Sequence, residues 1–157
     1  MSKKIAVFPG SFDPITLGHG AIVNKAYDLF DEIVVAIGEN SSKKHYFSLE
    51  ERKQHLEAVF AGRNKVKVAT YSGLTTDYCK SIGATYLIRG LRDGKDFEYE
   101  KSIAIMNSQL KNGVETMFFM TDAEYSAINS FIIGSEPVKE TRFLTCRANI
   151  SPFIVFT

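Results

Sequence analysis

The sequence predicts an α/β fold: one domain with a mostly parallel sheet of about five strands, covered by helices on both faces. Three observations predict it. Short apolar runs closed by turn residues alternate along the chain with segments whose apolar residues recur at helical spacing. The first two runs are apolar throughout, as strands buried on both faces are. The 157 residues, 45% of them hydrophobic, suffice for one core that buries about two-thirds of the unfolded surface and are hardly enough for two.

The elements follow in order. Ile5-Ala6-Val7-Phe8, closed by Pro9-Gly10, and Glu32 to Ile37, closed by Gly38, read as buried strands. Between them Ala21, Ile22, Lys25, Ala26, Leu29 and Phe30 keep an apolar helical face after a Gly-rich segment, which completes a β-α-β unit. Ser48 with Glu51 is a capping box ahead of Leu49, Leu56 and Phe60. Val66 to Tyr71 alternates as a strand with one wetter face. Asp77 to Ile82 predicts a short helix stopped by Gly83. Thr85 to Ile88 is a fourth strand, Phe97 to Leu110 a longer helix, and Met117 to Met120 a fifth strand. Right-handed crossovers then give a Rossmann-like arrangement. Ser126 to Ile133 reads as helical, Gly134-Ser135-Glu136-Pro137 breaks the pattern, and Ile154-Val155-Phe156 is an edge strand or an apolar tail. The whole of 1–157 is taken as one domain.

Charge narrows the partners. Nineteen basic residues against eighteen acidic ones, net +1, leave no global field for nucleic acid or an anionic membrane, so an anion site has to be local and the partner a small molecule. Cys79 and Cys146 form no metal-ligand or disulfide pattern and read as reduced, buried thiols. The apolar run after the basic start is far shorter than a signal-peptide core, and no run approaches a membrane span, so the expected location is the cytoplasm.

In an open parallel sheet, ligands bind beyond the carboxyl ends of the strands. The loop after the first strand, Pro9 to His19, is long for a connection whose median is about 4 to 6 residues. It offers free backbone N–H groups, the Ser11 hydroxyl and the His19 imidazole at a helix start. The loop after the second strand brings Lys43 and Lys44, and the one after the fourth brings Arg89 and Arg92. Alone, the lysines would be a solvated loop, and the arginines would pair with Asp93, Asp96 or Glu98. Converging on one sheet edge, they read as a phosphate or polyphosphate site. His45 and His55 read as surface residues, and Met106, Phe118 and Phe119 as core. Neither GxxxxGK[ST] nor GxGxxG is present, so the phosphate has to be held by other means.

Gly10-Ser11-Phe12-Asp13-Pro14-Ile15-Thr16-Leu17-Gly18-His19 resembles the signature of the nucleotidyltransferase superfamily, whose mark is a T/HxGH tetrapeptide, here Thr16 to His19. Ser42-Lys43-Lys44, Leu49-Glu50-Glu51-Arg52, Ile88-Arg89-Gly90-Leu91-Arg92 and Asp96-Phe97-Glu98-Tyr99-Glu100 resemble the bacterial phosphopantetheine adenylyltransferase family specifically. The resemblance runs from Ile5 to about Ser130. It implies transfer of the adenylyl group of ATP to the 4′-phosphate of phosphopantetheine, giving dephospho-coenzyme A and pyrophosphate, with Mg²⁺ assisting through the ATP phosphates and no metal site assigned to the protein.

The same resemblance implies the roles. His19, Lys43, Ser11 and Arg92 carry the chemistry. Ser11, Lys43, Thr75 and Arg89 bind phosphopantetheine. ATP is bound by Ser11, Phe12, His19, Gly90, Leu91, Arg92, Glu100, and by Tyr125, Ser126, Ala127, Ile128, Asn129, Ser130 and Phe131. It also implies a homohexamer and coenzyme A as a feedback ligand. Family members continue after the fifth strand with a W/YSxISSSxVKE-like segment; Tyr125 to Ser130 fits it, whereas Phe131-Ile132-Ile133-Gly134 and the residues beyond depart from it. Two alternatives stay open at this point: a nucleotidyltransferase for another phosphate acceptor, and a non-catalytic nucleotide or coenzyme A binding relative.

Overall fold

A computed structural model describes residues 3–39, 43–110 and 114–125. The order is β1 (Ile5–Gly10), α1 (Leu17–Ala26), β2 (Glu32–Gly38), α2 (Leu49–Val59), β3 (Val66–Tyr71), α3 (Thr75–Ser81), β4 (Tyr86–Leu91), α4 (Gly94–Gln109) and β5 (Glu115–Met120), followed by a 3₁₀ turn, Ala123–Tyr125. The strands form one parallel sheet in the order β3-β2-β1-β4-β5. The predicted class and the alternation of elements are therefore what the chain adopts.

Side-chain alternation along the strands sorts the core into two layers. On one face Ala6, Phe8, Ile33, Val35, Ile37 and Ile88 meet Ile22, Val23 and Ala26 of α1 and Leu56 of α2. On the other Val7, Val34, Ala36 and Leu87 meet Cys79 of α3 and Ala84. Burying an Ile, Leu or Phe of this kind contributes about 1.5–3 kcal/mol. Cys79 is a free, fully buried thiol, as the sequence predicts, and burial pushes its pKa up to about 11. Cys146 lies outside the described residues, as do the expected helix 126–133 and strand 154–156.

Several element boundaries move. β1 continues through Pro9 and Gly10, because its pairing with β2 runs on to Gly10 opposite Ile37. α1 ends at Ala26, and Leu29, expected on its apolar face, sits half-exposed in the turn that follows. α4 buries no residue completely, since it lies along the β4 and β5 side of the sheet and not over its centre; Met106, expected in the core, is 65% exposed. Phe118 does turn toward α4, where its ring meets Phe97 at 5.8 Å. No helix among the described residues is long and apolar enough to cross a membrane.

The sheet order reverses direction between β1 and β4, and there the ladder is short. β1 matches β2 over six residue pairs from Ile5 to Gly10, but it matches β4 only at Ala6 with Tyr86 and Val7 with Leu87. Beyond those residues the two strands part, and a crevice opens at their carboxyl ends, where ligands of such sheets bind.

Candidate active site

A cleft of about 680 Å³ occupies that crevice. Its floor is the end of β1 and the β1–α1 loop, where Pro9 to Asp13 line it. Phe12 holds φ at +45°, a left-handed conformation that costs a non-glycine residue about 1–2 kcal/mol. Burial of its ring, 2% exposed and edge-on to Phe8 at 5.5 Å and to His19 at 5.1 Å, holds it there. Gly10 makes room: a Cβ there would stand 2.9 Å from the Phe12 ring.

His19 lies in the first turn of α1. Its Nδ1 accepts the Thr16 backbone N–H at 3.0 Å, with the Thr16 hydroxyl 2.9 Å away. An accepting Nδ1 carries no proton, so the proton of the neutral ring sits on Nε2, which is thereby a donor. The histidine caps its own helix in the place where Glu or Gln usually stands. Burial, then the positive charges of Arg92 and Arg89, lower its pKa to about 4. His19 is thus a neutral Nε2–H donor at pH 7.

The wall opposite is built by β4 and the start of α4. Arg89 donates from Nε to Glu100 Oε2 at 2.7 Å, from Nη2 to Glu100 Oε1, and from Nη1 to the Pro9 carbonyl at 3.1 Å. That leaves one hydrogen on each terminal nitrogen for a further acceptor. Arg92 is held by Asp96, Nε to Oδ2 at 2.8 Å and Nη2 to Oδ1 at 3.0 Å, and this pairing keeps the Asp96 carboxyl below its usual range. Gly90 lets α1 approach, since a Cβ would come within 3.1 Å of Ile22. Lys43 and Lys44 stand at the exposed rim, on the loop after β2.

Of the predicted residues, Ser11, Phe12, His19, Lys43, Arg89, Gly90, Arg92, Glu100 and Tyr125 line this one cleft. Leu91 is placed differently: it is 4% exposed, within the core, and does not line the cleft. Thr75 begins α3 and bonds the Tyr71 hydroxyl at 2.8 Å, apart from the cleft wall. Ser126, Ala127, Ile128, Asn129, Ser130 and Phe131 lie outside the described residues.

The structure adds residues the sequence reading passed over. His45 is not a surface histidine: its Nδ1 lies 3.1 Å from Asp13 Oδ2 and it lines the cleft. Arg52, 3% exposed, donates from Nη1 to the Ser11 carbonyl at 2.8 Å and so fixes the loop from below. Its position four residues after the Ser48 cap is a readable signal, because one helical turn returns it to the cap end of α2. Thr16, read only as part of a motif, sets the tautomer of His19.

Residues 7–135 match the family described as cytidylyltransferase-like. The chain is 50% identical over 130 residues to the phosphopantetheine adenylyltransferase of Christiangramia forsetii, covering 83% of this chain and 85% of that protein. It is 53% identical over 128 residues to the one of Flavobacterium johnsoniae, covering 82% and 84%. Among solved structures, a Plasmodium falciparum nicotinic acid mononucleotide adenylyltransferase superposes with a TM-score of 0.57 at 17% identity, over 83% of this chain and 82% of that one. A lipopolysaccharide core biosynthesis protein of Thermoplasma volcanium does so at 0.57 and 18%, over 76% and 98%. At these identities the structures speak for the fold alone. With half of its residues shared over more than four-fifths of its length, the chain belongs to the phosphopantetheine adenylyltransferase family.

Proposed function

We infer that this enzyme transfers the adenylyl group of ATP to the 4′-phosphate of phosphopantetheine. An oxygen of the acceptor phosphate attacks the α-phosphorus, the bond to the bridging oxygen breaks, and pyrophosphate leaves with that oxygen, so dephospho-coenzyme A forms without a covalent enzyme intermediate. The observation that carries the reading is the neutral His19, with Nδ1 occupied and the proton on Nε2, inside a cleft of cationic side chains. Such a group gives a hydrogen bond to an oxygen where charge grows in the transition state.

The other residues position and neutralise. The Ser11 hydroxyl and Phe12 N–H hold the α-phosphate region, where Phe12 is locked by its burial. Lys43 brings a compact charge between attacking and attacked phosphates, and Arg89, steadied by Glu100, takes the acceptor phosphate. Arg92 and Gly90 face the nucleotide. Catalysis of this kind is positioning together with electrostatic stabilisation.

Among the described residues no cluster of three or more His, Cys, Asp or Glu side chains is built for a metal ion. Mg²⁺ is proposed to bind through the triphosphate, where it would neutralise phosphate charge. Coenzyme A, which shares the product's adenylyl and pantetheine parts, is proposed to compete for the same cleft. A homohexamer belongs to the proposal as well; the half-exposed apolar residues of α4, Phe97, Ile105 and Met106, offer surface for it, and sedimentation of the full chain tests it. The cytoplasm, where ATP is available, is the proposed location of the reaction.

The test is pyrophosphate release from ATP and Mg²⁺ with phosphopantetheine, nicotinamide mononucleotide or glycerol 3-phosphate as acceptor. Release with phosphopantetheine alone is expected. Release with another acceptor, or binding of nucleotide with no release, overturns the assignment.

A further inference from the structure

The carboxylate of Asp13 accepts three hydrogen bonds in the cleft, as many as that of Asp96, and the proposed chemistry gives it no part. Its Oδ2 accepts the Tyr46 N–H at 2.8 Å and the His45 Nδ1–H at 3.1 Å, and its Oδ1 accepts the Phe47 N–H at 2.9 Å. Three donors from three consecutive residues close on one side chain, itself only 11% exposed. Each bond joins an ionised acceptor to an N–H, the stronger kind of hydrogen bond.

What these bonds join matters. Asp13 comes from the β1–α1 loop, which also carries Ser11, Phe12 and His19, while residues 45–47 follow directly on Lys43 and Lys44. The loop bearing the lysines is fixed at its start by Glu39 N–H on the Tyr71 carbonyl, 2.8 Å, and at its end by Asp13. The Ser48–Glu51 cap then leads into α2, whose Arg52 returns to the Ser11 carbonyl. A long, exposed lysine stem has little to hold it except the placement of its own backbone.

We propose that Asp13 is a positioning residue for adenylyl transfer: by gripping residues 45–47 it sets where the Lys43 ammonium stands relative to Ser11 and His19. This rests on the adenylyltransferase reading and on the part given to Lys43. His45 supplies one of the three bonds, so its side chain is an auxiliary grip, and the two backbone bonds carry the rest.

The experiment is a double-mutant cycle of Asp13→Ala and Lys43→Ala, read by pyrophosphate release at saturating ATP and phosphopantetheine, with amide hydrogen exchange on the same proteins. Asp13→Ala is expected to lower kcat by about 10- to 100-fold, the size of a misplacement of about 1 Å. In the Lys43→Ala background the same change should cost less than about 2-fold, because Asp13 acts through the missing group. The amides of Tyr46 and Phe47 should lose protection while those of β1 and β2 keep theirs. His45→Ala should fall between wild type and Asp13→Ala. Effects that multiply across the cycle, or an unchanged kcat in folded Asp13→Ala, overturn the proposal. Should Asp13→Ala fail to fold, Asp13→Asn, which retains one acceptor oxygen, takes its place in the cycle with the same criteria. A wild-type enzyme that releases no pyrophosphate with phosphopantetheine rejects the adenylyltransferase reading, and the proposal with it. An active wild type with a multiplicative cycle rejects the role of Asp13 alone.

Discussion

Arg89 and Glu100 meet inside the cleft as a two-pronged ion pair, with Nε to Oε2 at 2.7 Å and the third guanidinium nitrogen on the Pro9 carbonyl. Glu100, assigned from the family resemblance to ATP, is in this structure the residue that aims the arginine. Its side chain is 12% exposed, so removing the arginine strands a carboxylate with little water. Arg89→Ala should lower stability by about 1–3 kcal/mol, less than a fully buried pair would lose, and raise KM for phosphopantetheine. In Arg89→Ala/Glu100→Gln, part of the stability should return and the KM defect remain. Urea denaturation and initial rates on the four proteins check this.

His19 holds the start of α1 and carries the transition-state hydrogen bond in the proposed reaction, and two substitutions separate these roles. His19→Ala removes the Nε2 donor and the bond to Thr16 N–H. His19→Gln keeps an acceptor at the third helical position. Both should reduce turnover by about 10² or more, while His19→Ala alone should lose a further 0.5–2 kcal/mol or so of stability. Turnover is read by pyrophosphate release and stability by chemical denaturation.

The same imidazole gives a pH dependence with a definite sign. Its folded-state pKa is lowered to about 4 from 6.5, by burial first and then by Arg92 and Arg89. Between those values the unfolded chain takes up a proton that the folded one refuses, so this group makes the protein less stable as pH falls from 6.5 toward 4; above 6.5 it contributes no pH dependence. Unfolding midpoints across this window should fall more steeply for wild type than for His19→Gln. An NMR titration of the ring should show it neutral at pH 6.

Gly10→Ala tests the packing beneath the loop. The new methyl would meet the Phe12 ring at 2.9 Å, and that ring is held on its other sides by Phe8 and His19. Overpacking of this kind costs about 1–3 kcal/mol. Because Phe12 supports the imidazole, kcat should drop together with the midpoint of denaturation.

The strands were legible because β1 and β2 are buried on both faces and leave continuous apolar runs, and the Ser48 cap because its bonds are local. The cationic cluster was legible for a topological reason: in a parallel sheet, loops after successive strands share an edge. What escaped the sequence depends on distant partners. His45 resembles a solvated loop residue until Asp13, from another loop, reaches it. Met106 has the spacing of a core residue, but spacing does not say that α4 lies at the margin of the sheet. Thr75 and Leu91, drawn from the resemblance, do not line the cleft: Thr75 bonds the Tyr71 hydroxyl and Leu91 is buried.

The parting of β1 and β4 after Val7 and Leu87 bears on how the molecule comes apart. A central strand is ordinarily the best-secured part of a sheet, yet here its ladder on one side stops after two matched pairs, and Arg89 on the Pro9 carbonyl spans the gap. The seam of least backbone cohesion therefore runs through the middle of the protein, between a β3-β2-β1 half and a β4-β5 half, and the cleft lies across it. Ligands that touch both sides act as a clasp, so occupancy of the cleft should slow proteolysis and sub-global opening of the whole fold, beyond the loops it contacts.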